Sequence, residues 1–259
     1  MGETEGSLIR LGAARAGWLI GVGLLCGVLI ILPLGGLVLQ TSPPDYVDAL
    51  SRAGDSLRHS LLYAASGATL LTLLGFFCGY LVHTRALRTW RWVDFLTLLL
   101  LVLPSPVIGI GLIGLWNRPA TEWIYSTPAM ILLGYLAQYI ALTSRTTAAT
   151  LAQIPASMDE AAAVSGAGWF RRLLRITAPL SRPGLLAAWL VAYIFCLRDT
   201  GITLLVYPPG HDTLPVRIFT LMANSPEGLI AALCVLMMAA TFLPLIPLGL
   251  IVRRWSRAL

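Results

Sequence analysis

The sequence predicts an all-α membrane protein with six transmembrane helices and a short helical elbow on the cytoplasmic side. Of its 259 residues, 57% are hydrophobic and only 12% are charged, whereas about 25% of the residues in an ordinary soluble domain are charged. The apolar residues form runs long enough to cross a hydrocarbon layer of about 30 Å, which takes about 20 helical residues. These runs lack the strict alternation typical of strands in a membrane β-barrel, so helices are expected.

The six apolar runs differ in polarity. The fourth is diluted by Gln138, Thr143 and Ser144, so we expect it to face protein or a wet cavity. In chain order, the predicted spans are Trp18 to Leu39, Leu61 to Val82, Val93 to Leu115, Ala129 to Leu142, Leu185 to Val206 and Leu229 to Val252. They form one transmembrane domain over residues 18–252, preceded by an N-terminal segment, 1–17, and followed by a tail, 253–259.

The distribution of arginine predicts the orientation. All 18 basic residues are arginine, and an N-terminus in the cytoplasm places thirteen of them inside, four outside and Arg198 within the fifth span. Such an excess on one side is what the positive-inside rule describes, so both termini are predicted to be cytoplasmic. The net charge of +6 therefore indicates topology rather than nucleic-acid binding, because no basic stripe alternates with aromatic residues.

The sequence contains no set of residues arranged for catalysis or for metal binding. Without lysine it cannot form the phosphate-binding loop G-x-x-x-x-G-K-S/T, so any ATP hydrolysis must occur on a partner chain. The three histidines and four cysteines have no metal-ligand spacing, and no two carboxylates lie close together in one span. We therefore expect a non-enzymatic transport subunit that binds no cofactor of its own.

The loop between spans four and five, at about residues 151–179, is predicted to form a rigid elbow. Ser157 followed three residues later by Glu160 is a capping box, which predicts that a helix begins at Ser157. Gly166 permits a sharp turn after this helix, and Pro179 interrupts the chain before the fifth span. An elbow held between two membrane helices can transmit a push from a partner.

Six residues of this elbow match the spacing E-A-A-x-x-x-G, nine residues, I-x-L-P: Glu160, Ala161, Ala162, Gly166, Ile176 and Pro179. The pattern resembles the EAA loop of permeases from binding-protein-dependent ABC importers, with Ala178 in place of the usual leucine. The similarity extends from about Asp55 to the C-terminus. It implies a type I ABC importer permease fold in a bacterial inner membrane.

The resemblance also implies partners and roles. The elbow would be the coupling helix that docks on an ABC ATPase subunit, where ATP and Mg²⁺ are bound. Ser157 and Glu160 would cap the helix, Ala161 and Ala162 would allow close docking, and Gly166 would permit the turn. The other partners implied are a second permease half, identical or homologous, an external substrate-binding protein, and membrane lipid.

The predicted outer loop after span five bears on the substrate. Its PPG-x-x-T-L-x-V-R-I segment, from Pro208, is similar to the ferric-iron and thiamine branch of these permeases. Ferric iron is therefore the leading substrate, with thiamine and small oxyanions or phosphonates as alternatives. An ion-driven secondary transporter subunit and a non-transporting scaffold are less favoured. His211 and Asp212 are too few for an iron site and indicate a solvated loop or a contact with the binding protein.

Charged residues in a span are candidates for the transport pathway, because each costs about 2.5–3.5 kcal/mol on insertion scales. Arg198 and Asp199 lie in the fifth span and are followed by Thr200, which begins a looser segment. They are expected either to line a pathway or gate, or to form an internal ion pair, or to lie at the outer interface. Pro106 in the third span is expected to remove one helical hydrogen bond, and Pro104 and Pro106 with the glycines of this span are expected to permit either close helix packing or a kink.

Overall fold

The computed structural model describes residues 14–85 and 87–247, and this part of the chain contains helices and no β-strand. The elements are α1 (Ala14–Leu39), α2 (Pro43–Thr84), α3 (Trp90–Val102), α4 (Ser105–Trp116), α5 (Glu122–Tyr125), α6 (Ala129–Leu151), α7 (Ala156–Val164), α8 (Trp169–Arg172), a π-helical turn (Leu173–Thr177), α9 (Ala178–Leu180), α10 (Arg182–Leu197), α11 (Thr203–Val206), α12 (Leu214–Leu221) and α13 (Glu227–Phe242). The predicted tail, 253–259, and most of the predicted N-terminal segment, 1–17, lie outside the described residues.

Three described helices are long and apolar enough to cross a membrane: Gly17–Leu39 in α1, Pro43–Thr84 (α2) and Glu227–Pro247, which contains α13. Two bent helix pairs, α3 with α4 and α8–α9 with α10, can each supply one more span. The fourth predicted span lies in α6, whose 23 residues include the polar side chains noted above. The fold is thus an all-helical membrane unit, and the count of six spans stays a prediction.

Helix α2 begins at Pro43, 18 residues before the predicted span. Its start is fixed by Asp45, whose carboxylate accepts hydrogen bonds from the N–H and hydroxyl of Ser42 at 2.8 and 2.6 Å. At 42 residues the helix is about 63 Å long, roughly twice the hydrocarbon thickness. The added turns are stable because Ala49 and Ala53 are buried in an apolar cluster formed with the second half of the chain.

The predicted third span is two helices that meet at 110°. Leu103 has an extended backbone (φ −66°, ψ 134°), as expected for a residue that precedes proline. Pro106 lies in the first turn of α4, where its missing N–H has no helical partner to lose. The expectation that Pro106 removes a bond inside a continuous helix was therefore wrong, because the break lies upstream, at Leu103 and Pro104.

The core is formed by α2, α6 and α10 around the buried side chains of Leu71, Met130 and Tyr135. Helices α2 and α6 approach closely because α2 carries small residues on the facing side. A methyl group on Gly75 would overlap the side chain of Thr143 on α6. Such close backbone contact is typical of helices that pack within membranes.

The predicted fifth span is also interrupted. Helix α10 begins after a 70° bend that follows Leu180 and ends at Leu197, before the four-residue α11. This interruption lies against the one in the third span: a Cβ on Gly201 would be 2.8 Å from the Cβ of Ser105. We call residues 103–105 and 198–202 together the junction.

Candidate functional site

Helix α7, the first limb of the elbow, begins at Ala156. The N–H of Met158 donates to the carbonyl of Pro155 at 3.1 Å, which closes a first turn that includes Ser157. Ser157 therefore lies inside the first turn rather than at the N-cap. The predicted helix is present, and its start is one residue earlier than the capping-box pattern indicated.

Gly166 ends the first limb. Its φ of +78° lies in the left-handed region, and the N–H of Ala167 donates to the carbonyl of Ala162 at 3.0 Å. A six-residue closure around a left-handed glycine is a Schellman motif. The glycine in the E-A-A-x-x-x-G pattern thus has a direct structural reason, because a side chain at this φ is strained.

The elbow exposes a mixed surface of small, acidic and apolar residues. Glu160 and Ala161 are exposed and Ala162 is half-buried. Large apolar side chains are exposed around them: Met158, Val164, Trp169, Phe170 and Leu174. Val164, at 90% relative exposure, is the most prominent. We call this set the elbow surface. Met158 and Val164 lie on α7, outside the candidate spans, and apolar side chains this exposed there are typical of a protein-binding surface. Trp169, Phe170 and Leu174 belong to the bent pair that can supply a span.

Behind the elbow surface lies a cavity of about 260 Å³ between the elbow and the neighbouring helix ends. Glu160 lines it from α7, and Tyr80, His83 and Thr84 line it from the end of α2. Thr177 of the π-helical turn closes it on a third side. Glu160 therefore borders both the exposed surface and the space between the elbow and α2.

The second limb of the elbow is fixed to α2. The indole Nε1–H of Trp169 donates to the hydroxyl of Tyr80 at 2.9 Å, and the two rings meet edge to face at 6.0 Å. Ile176 lies in the π-helical turn and Pro179 just after it, both half-buried. Pro179 cannot donate a hydrogen bond and its ring crowds the preceding turn, which explains the local widening there.

At the junction, Asp199 is buried, with 5% relative exposure. One carboxylate oxygen accepts the hydroxyl of Tyr139 at 2.8 Å. The other accepts the hydroxyl and the N–H of Thr203 at 2.7 and 3.0 Å. These bonds join α6 to the start of α11 and satisfy the carboxylate without a cation.

Arg198 has the opposite environment to that of its neighbour. It is exposed, and its guanidinium lies 5.8 Å from the ring centroid of Phe195. The internal ion pair considered from the sequence is not formed within the described part of the chain. Thr200 is half-buried and its carbonyl accepts the N–H of Leu204 at 3.0 Å, while Pro106 is exposed nearby at the start of α4.

The loop after α11 is held against α2. The Nδ1 atom of His211 lies 2.7 Å from the hydroxyl of Tyr63, and the carboxylate of Asp212 accepts the hydroxyl of Ser56 at 2.8 Å. Arg217 donates two hydrogen bonds to the carbonyl of Arg52 at 3.0 and 3.2 Å. Both loop residues singled out from the sequence are therefore half-buried and bonded to α2.

Sequence reasoning missed the tyrosines that hold these sites in place. Tyr63, Tyr80 and Tyr139 each provide a hydroxyl to a candidate region from another helix. A signal existed for one of them, since Tyr139 lies in the span that polar residues dilute. For the other two, the partner is more than 80 residues away in sequence, and no local pattern marks the pair.

The fold defines the class of protein. The chain superposes on a solved bacterial ABC transporter involved in the import of the acidic polysaccharide alginate, with a TM-score of 0.73, 15% identity, and coverage of 93% of this chain and 97% of that one. The alginate transporter in complex with its pentasaccharide-bound periplasmic protein gives a TM-score of 0.67 at 17% identity, over 96% of this chain and 97% of that one. The fold is that of type I ABC importer permeases.

The chain belongs to the family described as the binding-protein-dependent transport system inner membrane component, whose model matches residues 71–259. It is thus a membrane permease subunit of an ABC importer, and the resemblance stated from the elbow pattern is confirmed. The matched region includes the elbow and the interrupted fifth span.

Three relatives show the range of the family. A protein of Salmonella typhimurium named as a 2-aminoethylphosphonate transport system permease is 29% identical over 81% of this chain and 79% of its own length. The ferric transport system permease protein of Actinobacillus pleuropneumoniae is 27% identical over 62% of this chain but only 23% of its own length. The spermidine/putrescine transport system permease of Escherichia coli is 23% identical over 76% of this chain and 73% of its own length.

Proposed function

We propose that this chain forms half of a substrate pathway and is driven by ATP hydrolysis on a separate ATPase subunit. The observation that carries the proposal is the elbow surface. It presents the EAA-type residues on a helix closed by Gly166, next to exposed apolar side chains. A surface of this kind in a family of import permeases is suited to receive the ATPase.

The proposed coupling follows from how the elbow is attached. Movement of the ATPase would act on α7 and reach α2 through the contact between Trp169 and Tyr80. Glu160 borders the cavity between these elements, so closure of that space would change its surroundings. ATP and Mg²⁺ belong to the partner in this scheme, and no cofactor is assigned to this chain.

The remaining partners follow from the shape of a single permease unit. One unit would enclose half of a pathway, and a second half, identical or homologous, would complete it. An external binding protein, which the family description names, would deliver substrate at the loop near His211 and Asp212. The proposed location is the bacterial inner membrane, with both termini in the cytoplasm.

The substrate is proposed to be a small phosphonate or related oxyanion. The outer-loop pattern favoured ferric iron, and the ferric permease is indeed a relative, but it is matched over a smaller part of this chain. The 2-aminoethylphosphonate permease matches at slightly higher identity and over most of both chains. Ferric iron and thiamine stay as alternatives to this proposal.

Cross-linking from the elbow tests the ATPase contact directly. A photoreactive residue at Val164 should form an adduct with an ATPase subunit in native membranes, because this side chain is 90% exposed on the elbow. The matched control is the same probe at Phe219, which is exposed on α12 at the far end of the molecule. An ATPase adduct at Val164 alone supports the proposal, and equal adducts or none at either site would refute it.

A further inference from the structure

The connection between α2 and α3 carries a concentration of positive charge. Arg85, Arg88 and Arg91 follow one another at intervals of three residues, and the sequence from 84 to 93 contains no aspartate or glutamate. All three arginine side chains are exposed. We call these three residues the basic patch. In the predicted orientation it lies at the cytoplasmic ends of α2 and α3.

Two guanidinium groups of the basic patch share one aromatic ring. The Cζ atom of Arg85 lies 5.0 Å from the ring centroid of Trp90, and that of Arg91 lies 5.5 Å from the same ring. Arg85 ends α2 with a left-handed φ of +51°, and the chain reverses before Trp90 begins α3. Because the faces of an indole ring are electronegative, they attract both cations. The ring therefore holds two like charges close to one another.

No acidic group in the described part of the chain neutralises the basic patch. The first acidic residue that follows it is Asp94, whose carboxylate pairs with Arg145 of α6 at 2.7 Å. Within residues 14–85 and 87–247, none of the three guanidinium groups of the patch donates a hydrogen bond to a carboxylate or a carbonyl. Each guanidinium has five N–H donors. These donors are therefore available to an anion from outside the chain.

Exposed apolar side chains adjoin the basic patch along α3. Trp92 is 67% exposed, and Phe95 and Leu96 are exposed in the next turn. The rings of Trp92 and Phe95 meet edge to face at 6.3 Å. Helix α3 begins one of the bent pairs that can supply a span, and tryptophan at the end of a span prefers the level of the lipid headgroups. The patch thus lies where lipid phosphates are found.

We propose that the basic patch is a binding surface for the phosphate groups of anionic phospholipids in the cytoplasmic leaflet. A guanidinium forms two parallel hydrogen bonds with a phosphate, and the acyl chains would pack against Trp92 and Phe95. Three positive charges without an acidic neighbour favour a headgroup with net negative charge over a zwitterionic one. This inference does not depend on which substrate is transported or on where the ATPase binds.

Lipid is favoured over a protein partner by the surroundings of the patch. The elbow surface combines small and apolar residues with the acidic Glu160, as suits a protein contact. The basic patch has charge of one sign only, and it continues directly into the exposed apolar side of a helix that can belong to a span. Charge and hydrocarbon-facing surface follow one another in the order of a phospholipid's headgroup and acyl chains.

Lipid binding to the purified full-length transporter in mild detergent tests this assignment. The probes are phosphatidylglycerol and phosphatidylcholine with identical short acyl chains. The wild type should bind phosphatidylglycerol more tightly. Each of Arg85→Gln, Arg88→Gln and Arg91→Gln should weaken this binding about five-fold, as expected for one charge near an anionic headgroup, and the triple variant should lose the preference. The corresponding triple lysine variant keeps the charge and should retain part of the preference.

The matched control removes three arginines from the predicted outer side, in the triple glutamine variant of Arg52, Arg58 and Arg118, and should keep the preference. Equal affinity of the wild type for both lipids, or an equal loss in the two triple glutamine variants, would overturn the inference. Complete displacement of the lipid by millimolar inorganic phosphate would assign the patch to a free anion and overturn it. So would loss of the ATPase from the patch variant with unchanged lipid binding, because the surface would then belong to a protein contact.

Discussion

The indole of Trp169 donates a hydrogen bond to the hydroxyl of Tyr80 at 2.9 Å, joining the elbow to the end of α2. These residues lie 89 positions apart in the sequence. Helix α2 packs along α6 and α10. Under the proposed function, this contact would carry a push on the elbow to the membrane helices.

Loss of that contact should weaken coupling. Trp169→Phe and Tyr80→Phe each remove one hydrogen bond, worth about 0.5–1.5 kcal/mol, and the double variant should cost little more than either single one. The measurement is the amount of substrate transported per ATP hydrolysed, together with the double-mutant coupling energy. Trp189→Phe is the matched control, because it loses an indole bond to Thr69 away from the elbow. Additive effects, or an equal loss in the control, would argue against this route.

The turn at Gly166 should tolerate no side chain, while Gly168 should. Gly166 has a φ of +78° and Gly168 a φ of −60°, and neither has an atom within 4 Å of an added Cβ. Gly166→Ala is expected to cost about 1–2 kcal/mol of backbone strain and to reduce ATPase binding to solubilised protein about 5- to 30-fold. Gly168→Ala should bind normally. Equal affinities for the two variants would show that the left-handed turn does not position the elbow.

Tyr139→Phe should destabilise the junction. It leaves one oxygen of the buried carboxylate of Asp199 without its donor, which costs about 1.5–3 kcal/mol for a charged group. Tyr193→Phe, which loses a longer bond of 3.2 Å to the carbonyl of Ala240, should lose less, about 0.5–1.5 kcal/mol. Thermal unfolding in detergent gives the comparison. Similar melting temperatures for Tyr139→Phe and wild type would show that the carboxylate is not held by this hydroxyl.

Close packing of α2 against α6 should make Gly75 sensitive to a single methyl group. Gly75→Ala overlaps the side chain of Thr143 and should cost about 1–3 kcal/mol through overpacking. Gly111→Ala on α4 meets nothing within 4 Å and, as the control, should be neutral or slightly stabilising. The folded yield and melting temperature of the two variants distinguish these outcomes. A stable Gly75→Ala protein would mean that the two helices can separate at no cost.

The fold class followed from the sequence because its signals are local. Apolar runs of about 20 residues and a clustered arginine distribution need no knowledge of tertiary contacts. The early start of α2 was missed because its first turns are polar and gain stability from Leu214 and Leu229, which are more than 150 residues away. The prolines of the third span made a kink one of two expectations, but the sequence did not show that the chain breaks at Leu103 and Pro104 with a bend of 110°.

The candidate sites, too, could be predicted from the sequence only in part. The elbow was found because Glu160 and Gly166 have a fixed local spacing, and the left-handed turn at Gly166 is the structural reason for its glycine. Arg198 and Asp199 were singled out as unusual charges in a predicted span, and their role in a pathway stays a prediction. Their adjacency in the sequence suggested an ion pair, which does not form within the described residues. The carboxylate of Asp199 instead accepts a hydrogen bond from Tyr139 on α6. Tyr139 is distant in the sequence, so no local pattern predicts this contact.

Purification of the tagged chain from gently solubilised native membranes tests the central claim most directly. Mass spectrometry should identify an ATPase that carries its own phosphate-binding loop, together with an external binding protein. In Gly166→Ala the ATPase should be depleted while the permease chain is recovered in the same amount. Repeated recovery of the intact wild-type chain without any ATPase, under conditions that keep other membrane complexes together, would contradict the claim that it is the permease of an ATP-driven importer.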